Sequence, residues 1–403
     1  MVNEVLRTAL PDDWAVITLG NCAQIFRGGS PRPIQDYLTT SDQGINWIKI
    51  GDVDANAKYI NSTEEKIIPE GVSCSRMVYE GDLILSNSMS FGRPYIMNIE
   101  GCIHDGWLVI QKYDKVFFRD YLYYLLSSEL TMQQYVAMAA GSSVQNLNKE
   151  KVSNVVLPCP NITEQKKIAE ALSNIDGLIL NLQKSISKKT DVRQGTLQLL
   201  MSGKKRAYGF SKPWRVVSFD DICTINAPMV NPQESQYAFL PHIGNESIDK
   251  HTGKLLSYNK VIDDNLISGK YYFTENDVLY GKINPQFGKV AFPQFEGLCS
   301  ADMYPITCKD GIIPQYLKQV LLTYDFLQFT FSLSLRSGMP KVNRKELSEY
   351  KFLLPEIEEQ KRITSILTDM DSEIEILEEK LSKYQKIKQG MMEELLTGKV
   401  RLV

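Results

Sequence analysis

Residues 147–206 read LNKEKVSNVVLPCPNITEQKKIAEALSNIDGLILNLQKSISKKTDVRQGTLQLLMSGKKR, and residues 342–401 read VNRKELSEYKFLLPEIEEQKRITSILTDMDSEIEILEEKLSKYQKIKQGMMEELLTGKVR. The two stretches align without a gap at an offset of 195 residues and are identical at 20 of 60 positions. Chance does not produce a third identity over that length. The chain therefore contains an internal repeat, which decides its architecture before any local pattern does.

A weaker similarity extends the repeat upstream. Trp14-Ala-Val-Ile-Thr-Leu19 parallels Trp214-Arg-Val-Val-Ser-Phe219, and Gly81-Asp-Leu-Ile-Leu85 parallels Asn276-Asp-Val-Leu-Tyr280. The chain thus reads A–B–A′–B′, in which B is well preserved and A has diverged. We assign A to residues 1–150, B to 151–206, A′ to 207–345 and B′ to 346–403.

The B segments carry the pattern of long helices. Their apolar residues recur alternately four and three positions apart, which is typical of a coiled-coil seam of about three heptads. The seam residues are Ile168, Leu172, Ile175, Ile179 and Leu182 in B, and Ile363, Leu367, Met370, Ile374 and Leu377 in B′. For a single helix, a buried helix in a globular core would be the better interpretation.

The ends of these helices are marked by capping residues. Asn161 can cap the first helix, and Glu164 three positions later can close a capping box. Gly203 and Gly398, each followed by lysine, mark the helix ends. Each helix then spans ~40 residues, or roughly 60 Å.

Charge favours pairing of the two helices with each other. Segment B has 10 basic and 4 acidic residues, whereas B′ has 9 basic and 13 acidic residues. Two matching seams of opposite charge in one chain indicate mutual partners. We predict an antiparallel coiled coil with pseudo-two-fold symmetry, which would put the two A domains at opposite ends.

The A segments have a different pattern of short β-rich runs broken by Gly, Asn, Pro and Ser clusters. The runs include Trp47–Ile50, Asp82–Leu85, Trp107–Ile110 and Asp277–Tyr280. One amphipathic helix is expected in each segment, at Tyr121–Gln134 and Gln315–Phe329. Each segment is therefore predicted to be a compact α+β domain with an irregular, loop-rich sheet.

Composition is that of an ordinary globular protein. Of 403 residues, 43% are hydrophobic and 23% charged, and the net charge is −3. No apolar run approaches the ~20 residues that span a bilayer, and residues 1–14 lack the pattern of a secretory signal. Seven scattered cysteines without a Cys-x-x-Cys pair indicate reduced thiols. We expect a cytoplasmic protein with no membrane partner.

Motifs for catalysis and metal binding do not emerge. His104, His242 and His251 are too far apart in sequence to suggest a local cluster, and no phosphate-binding glycine motif occurs. Asn284-Pro-Gln-Phe287 resembles the Asn/Asp-Pro-Pro-Tyr/Phe signature of amino-methyltransferases but lacks its second proline, so a Pro-containing turn is preferred. Phe26-Arg-Gly-Gly29 predicts a flexible loop. We expect no catalytic residue, metal or cofactor in this chain.

Polar and basic residues in the loop-like parts of A and A′ suit DNA. Arg and Lys donate to guanine O6 and N7, and Asn and Gln pair bidentately with adenine. Taken singly, each is more often a solvated residue or a phosphate contact than a base reader. The candidates are Arg27, Arg32, Lys49, Asn87 and Arg93 in A, and Lys254, Lys282, Asn284, Gln286, Lys289 and Arg336 in A′.

Three sets of motifs resemble the specificity subunits of Type I restriction-modification enzymes. The first is the repeated Glu-Gln-Lys-Lys/Arg-Ile helix start, at Glu164–Ile168 and Glu359–Ile363. The second is the Gln-Gly…Leu-Leu/Met-Ser/Thr-Gly-Lys helix end, at Gln194–Lys204 and Gln389–Lys399. The third is the Leu-Pro-x-x-Trp opening at Leu10–Trp14, which recurs in part at Trp214, where only Lys212-Pro213 stands in place of the full Leu-Pro prefix. The resemblance covers essentially the whole chain and is loose in A and A′.

The resemblance implies a division of tasks. A and A′ would be two target recognition domains, each reading one half of an interrupted site in double-stranded DNA. B and B′ would be helical spacers that hold these domains apart and dock two methyltransferase subunits. Those partners would bring S-adenosylmethionine and methylate adenine N6. Restriction subunits would bring translocation and cleavage that depend on ATP and Mg, so this chain itself would be non-catalytic.

Two other classes of function compete with this interpretation. A coiled-coil scaffold whose A domains bind proteins would not shift double-stranded DNA, alone or with a methyltransferase partner. A stand-alone enzyme would methylate or cut DNA unaided.

Overall fold

The computed structural model describes residues 10–54, 57–87, 91–139, 146–225, 227–334 and 340–403. It divides the chain into two compact units. Unit 1 runs to Gln183 and takes in Lys380–Val403, and unit 2 is Lys184–Glu379. Each unit therefore combines one β-rich segment with parts of both helical segments.

Unit 1 contains most of the first half of the repeat. Its strands are β1 (Ala15–Thr18), β2 (Gln24–Arg27), β3 (Leu38–Thr39), β4 (Ile45–Ile48), β5 (Tyr59–Ile60), β6 (Glu65–Ile67), β7 (Arg76–Val78), β8 (Leu83–Ser86), β9 (Pro94–Met97), β10 (Gly101–Ile103), β11 (Trp107–Gln111) and β12 (Val156–Cys159). Its helices are α1 (Arg119–Leu126), α2 (Glu129–Ala139) and α3 (Lys149–Ser153), and the long helix α4 (Ile162–Met201) begins here.

The strands of unit 1 form two five-stranded sheets and one pair. The sheet orders are β3-β6-β4-β10-β7 and β2-β11-β8-β9-β5, and β1 pairs antiparallel with β12. The core under the second sheet joins its strands to α1 and to the first turns of α4, where Ile168 and Leu172 are buried. The last turn of the second long helix adds Leu395 to that core.

Unit 2 contains the remaining elements. They are α5 (Phe219–Ile222), α6 (Pro314–Leu321), α7 (Tyr324–Ser334), α8 (Arg344–Ser348) and the start of the long helix α9 (Ile357–Leu395). Its strands are β13 (Arg215–Ser218), β14 (Cys223–Thr224), β15 (Met229–Val230), β16 (Pro241–Ile243), β17 (Asn259–Lys260), β18 (Lys270–Phe273), β19 (Asp277–Gly281), β20 (Val290–Ala291), β21 (Gly297–Cys299), β22 (Met303–Cys308) and β23 (Lys351–Leu354).

The sheets of unit 2 repeat those of unit 1 in part, since one of them has four strands where its counterpart in unit 1 has five. Their orders are β14-β22-β19-β20 and β15-β18-β21-β16-β17, and β13 pairs with β23 as β1 does with β12. A parallel pair recurs in the equivalent place, β4 with β10 in unit 1 and β16 with β21 in unit 2. Unit 1 has a second parallel pair, β5 with β9. The prediction of two loop-rich α+β domains that form an internal repeat is confirmed.

The two long helices pack in opposite directions, as predicted. In unit 1, Asp176 of α4 pairs with Lys388 of α9 at 2.7 Å. In unit 2, Arg193 of α4 pairs with Asp371 of α9 at 2.8 Å. Higher residue numbers on one helix thus meet lower numbers on the other, which is an antiparallel arrangement. The two ion pairs are equivalent under the 195-residue offset of the repeat.

The predicted helix ends are confirmed except for one side chain. The Asn161 side chain accepts the backbone N–H of Glu164 at 3.0 Å and so caps α4. The prediction of a capping box is wrong, because the Glu164 carboxylate instead accepts hydrogen bonds from Trp14 and Arg401. Gly203 and Gly398 have φ of +69° and +71°, the left-handed conformation that favours glycine at a helix end.

The prediction of one amphipathic helix per domain is wrong. In each domain the predicted stretch is divided into two short helices, α1 and α2 in unit 1 and α6 and α7 in unit 2. The Ser128 hydroxyl donates to Leu125 O and accepts from Thr131 N, so it ends one helix and caps the next. Thr323 has the same position between α6 and α7. A hydroxyl that bonds locally to the backbone interrupts a helix in this way.

The glutamine of the repeated Glu-Gln-Lys motif ties each long helix to its domain. The Gln165 Oε1 accepts the N–H of Phe118, the residue that precedes α1, at 2.8 Å. The Gln360 Oε1 accepts the N–H of Ile313, which precedes α6, at 3.0 Å. Both glutamines are buried, so each satisfies a helix N–H that would otherwise lack a partner.

Candidate nucleic-acid interface

In unit 1, two predicted arginines converge on one carboxylate. The Arg27 Nε donates to the backbone carbonyl of Asp105 at 2.9 Å. The side chains of Arg27 and Arg32 each place an Nη2 atom 3.8 Å from Asp105 Oδ2. Both arginines stay exposed, at 57% and 82% of the side-chain surface. The structure therefore brings together two cations that lie five residues apart in sequence.

Asp105 contacts both arginines of this cluster, and the sequence analysis did not predict it. Burial raises its pKa, but a hydrogen bond from Ser30 and the charge of Arg27 lower the pKa overall. The carboxylate is therefore ionised near neutral pH. The position of Asp105 in the tight connection between β10 and β11 is the available signal, because such turns often present a polar side chain.

Asn87 belongs to the same cluster but lies inside it. Its side chain is buried and its Nδ2 donates to Asp105 O at 3.0 Å. Asn87 thus supports the turn at Asp105.

The prediction of a flexible loop at Phe26–Gly29 is wrong in part, because Arg27 ends β2. A Cβ at Gly28 would overlap the carbonyl oxygen of His104, so close packing requires glycine there.

Lys49 borders a pocket of about 410 Å³ that Arg32 also lines. Its amine pairs with Glu65 at 3.1 Å. His104 lies in the wall of this pocket, and burial lowers the pKa of its ring. His104 accepts the N–H of Ile50 at 3.1 Å, which agrees with a structural role. Arg93 is exposed. Burial raises the pKa of Tyr95, and the charge of Arg93 opposes that change.

In unit 2, Lys282 belongs to an aromatic and basic cluster. Its amine donates to Ala301 O at 2.7 Å and lies 4.8 Å from the centre of the Tyr304 ring. The guanidinium of Arg344 lies 5.4 Å from the same ring and 5.8 Å from that of Tyr271. The aromatic faces hold both cations in place.

The charges around Lys282 are mainly positive. Burial lowers its pKa, Asp302 opposes that change, and the nearby Arg344 and Lys341 lower the pKa further. Arg344 and Lys341 are exposed. Neither was predicted, since α8 and the short bridge from Lys341 to Ile283 place them beside Lys282 only in the folded chain.

The other candidates of unit 2 lie elsewhere. Lys254 pairs with Glu378 of α9 at 2.7 Å, and Lys289 donates to the backbone carbonyl of Ile248. Asn284 takes the left-handed conformation and starts the short turn Pro285–Phe287, so the prediction of a Pro-containing turn is confirmed. Arg336 lies outside the described residues.

Gln286 and Lys254 line a pocket of about 860 Å³ in unit 2. Residues of α4, α6, α7 and α9 complete its walls, among them Arg193 and Asp371. The Gln286 Oε1 is buried there and has no hydrogen-bond partner in the described part of the chain. The structure thus puts Gln286 and Lys254 on the side of the domain that meets the helices.

The predicted seam residues differ in burial along each helix. Ile168, Leu172 and Ile175 of α4 are buried, and the next positions Ile179 and Leu182 are partly exposed. The seam of α9 follows the same course. Ile363 and Leu367 are buried, and Met370, Ile374 and Leu377 are partly exposed. Only the parts of the seam nearest each domain are therefore fully covered.

The described residues show neither a metal-binding cluster nor a membrane-spanning helix. They contain no group of three or more His, Cys, Asp or Glu side chains that could hold a metal ion. No helix in the described ranges is both long enough and apolar enough to cross a membrane.

Comparisons with known proteins agree with this architecture. The family model for the Type I restriction modification DNA specificity domain matches residues 11–189 and again 211–387. The MjaVIII specificity subunit of Methanocaldococcus jannaschii is 24% identical over 425 residues, covering 98% of this chain and 94% of its own length. The EcoDI specificity subunit of Escherichia coli is 26% identical over 275 residues, and the match spans 60% of this chain and 61% of that relative.

A solved chain from a type I R-M system has the same fold. It superposes with a TM-score of 0.58 at 17% identity and covers 97% of this chain and 99% of its own.

Proposed function

Because the chain belongs to the Type I restriction modification DNA specificity family, we propose that it reads a two-part sequence in double-stranded DNA and contributes no catalytic residue. The observation that carries this proposal is the duplication of the specificity domain, at residues 11–189 and 211–387. Two copies of a reading domain on one chain suit two half-sites separated by a gap.

In unit 1 the proposed DNA contacts are Arg27 and Arg32. The Asp105 carboxylate lies 3.8 Å from both guanidinium groups and so offsets their mutual repulsion. Both side chains remain exposed to an incoming duplex. A guanidinium held in this way can bind phosphate or the guanine edge with two parallel hydrogen bonds. The two arginine side chains therefore lose less conformational entropy when DNA binds.

In unit 2 the proposed contacts are Lys282, Lys341 and Arg344. Phosphate is the ligand that a mainly positive patch attracts most strongly. The ring of Tyr304 lies beside two of the three cations and orients them. Such contacts set the position of a domain on the duplex, and base contacts then set the sequence.

The partners follow from the same family. Both named relatives are themselves subunits of restriction enzymes. The repeated helices offer two equivalent surfaces, which supports docking of two methyltransferase subunits. We propose that S-adenosylmethionine binds to those subunits, and that ATP and Mg belong to restriction subunits. A complex with this task works in the cytoplasm.

The test measures DNA binding by the complex of this chain with its adenine methyltransferase. Arg27→Ala and Arg344→Ala should each weaken binding to all sequences. The slope of log affinity against log salt should fall by ~1 for each phosphate contact that the substitution removes. Removal of a base reader would instead relax the sequence at one position.

The matched control is Lys212→Ala, which removes an exposed cation paired with Glu356. It should leave both quantities unchanged. A complex of normal composition that does not shift duplex DNA would contradict the proposal and favour a coiled-coil scaffold whose domains bind proteins.

A further inference from the structure

Two cysteines face each other across neighbouring strands of unit 2. In the antiparallel pair β14–β22, Cys223 is the direct partner of Cys308. Both are free thiols. They are 85 positions apart in sequence, so the pattern of cysteine spacing does not reveal the pair.

The hydrogen-bond pattern shows which kind of cross-strand pair this is. The backbone N–H of Lys309, the residue after Cys308, donates to the carbonyl of Ile222, the residue before Cys223, at 2.8 Å. Hydrogen-bonded and non-hydrogen-bonded pairs alternate along an antiparallel ladder. Cys223 and Cys308 therefore form a non-hydrogen-bonded pair, in which the Cα atoms are about 4.5 Å apart and the side chains are closest. Disulfides occur at Cα separations of roughly 4.4–6.8 Å.

We propose that Cys223 and Cys308 are an oxidative modification site, at which peroxides convert the two thiols to a disulfide within the folded domain. Cys308 is partly exposed and Cys223 is buried. The accessible sulfur of Cys308 therefore meets the oxidant first, and Cys223 is the resolving partner.

The reaction balances with hydrogen peroxide as the oxidant. The Cys308 thiolate attacks the peroxide, an S–O bond forms, the O–O bond breaks, and the departing hydroxide takes a proton to become water. The Cys223 thiol then loses its proton and its sulfur attacks the sulfenic acid. The S–S bond forms, the S–O bond breaks, and the departing hydroxide takes a proton and leaves as a second water. The two sulfurs lose two electrons in total and the peroxide gains them.

The first half of the repeat lacks this site. In unit 1 the equivalent strands are β2 and β11, where Gln24 pairs with Gln111 as Thr224 pairs with Thr307. The adjacent residues are Ala23 and Lys112, which stand in place of the two cysteines. Oxidation would thus link strands in the second domain alone. The disulfide would close the segment between β14 and β22 into a loop. The unfolded chain would then have less conformational entropy, which stabilises that domain.

Hydrogen bonding to Cys308, followed by burial, raises the pKa of the Cys223 thiol. The thiolate is the reactive form, so the resolving step should be slow at neutral pH and faster at alkaline pH.

The experiment treats the purified full chain with hydrogen peroxide, blocks remaining thiols with N-ethylmaleimide, and digests it without reductant. Mass spectrometry should find the Cys223 and Cys308 peptides joined, with a mass two hydrogens below their sum. The thermal midpoint should rise by several degrees and return after dithiothreitol. Cys308→Ser should abolish both changes, and Cys74→Ser, at an exposed cysteine of unit 1, should leave both intact.

Two outcomes would overturn the proposal. One is oxidation of Cys308 to the sulfinic acid with Cys223 left free. The other is a linked peptide that forms only in urea, because the link would then not belong to the folded domain.

Discussion

Two buried glutamates have equivalent positions at the starts of the long helices. Glu164 accepts hydrogen bonds from Arg401 at 2.7 Å and from Trp14 at 3.2 Å. Glu359 accepts them from Arg206 at 2.8 Å and from Trp214 at 2.8 Å. In each unit, an arginine that follows the end of one long helix is thereby tied to the start of the other. This contact explains why the repeated motifs begin with Glu and end just before Arg.

The Glu359 contact predicts a dependence of stability on pH. Burial raises the pKa of Glu359, but the hydrogen bonds from Arg206 and Trp214 lower it overall, below its ordinary 4.5. A carboxyl with a lowered folded pKa stabilises the protein above its unfolded pKa and loses that contribution as pH falls through the folded pKa. Wild type should exceed Glu359→Gln by about 2 kcal/mol in free energy of unfolding at neutral pH, and the gap should close below about pH 4.

Urea unfolding over a pH series measures this difference. The control is Glu358→Gln, next in sequence, whose exposed carboxylate pairs only with Lys361 among the ion pairs of the described residues. It should change the free energy of unfolding by less than about 0.5 kcal/mol at every pH. Parallel pH profiles for wild type and Glu359→Gln would show that the glutamate acts only through packing.

Arg193 of α4 carries a further prediction about the stability of the helix pair. Its buried guanidinium donates to both carboxylate oxygens of Asp371, at 2.8 and 3.0 Å, and to Gln319 at 3.0 Å. Arg193→Met keeps the volume but leaves Gln319 without its donor, and should lower the free energy of unfolding by about 2 kcal/mol. Asp371 is partly exposed, which keeps the cost below that of a fully buried pair.

The matched variant for this comparison is Lys189→Met, one turn away on α4. Lys189 pairs with Glu373 at 2.6 Å, but both side chains are exposed, so the expected loss is below about 0.5 kcal/mol. Equal losses for the two variants would contradict the importance of burial at Arg193.

At the scale of elements, the long helices were the most predictable part of the fold. Their seam, caps and terminal glycines are local patterns that act within a few residues, and α4 and α9 follow them. The break at Ser128 was not predictable from periodicity, because a hydroxyl in that sequence can face solvent or cap a helix. The burial of Asn87 and the pairing of Lys254 with Glu378 depend on contacts between distant segments, which no local pattern reports.

The helices also predict a length effect. Inserting one heptad after Gln183 and one after Glu378 keeps both seams in register and lengthens each helix by ~10 Å. The gap between methylated half-sites should then grow by about three base pairs, unless rotation of the domains weakens binding instead. The half-site sequences should stay the same, since the variant alters no loop that reads bases.

Methylome sequencing of cells that carry the double insertion and the partner methyltransferase reports both quantities. New half-site sequences at the old spacing would show that the helices take part in reading bases.

At the scale of the whole molecule, the fold preserves a repeat that has largely diverged in the sequences of A and A′. The two units share most of their sheet order and one parallel strand pair. Their polar surfaces differ, since unit 1 gathers Arg27 and Arg32 around Asp105, and unit 2 gathers Lys282 and Arg344 around Tyr304. Two copies of one fold with different surface chemistry are expected when each reads a different half-site.

The most direct test of two independent readers is exchange of one domain. Residues 1–150 are replaced by the corresponding segment of another member of the family, and the methylated adenines are mapped by long-read sequencing in cells with the partner methyltransferase. We expect one half of the methylated site to change and the other half to stay as in wild type. A change in both halves would contradict the account, because the two domains would then read DNA together rather than each by itself.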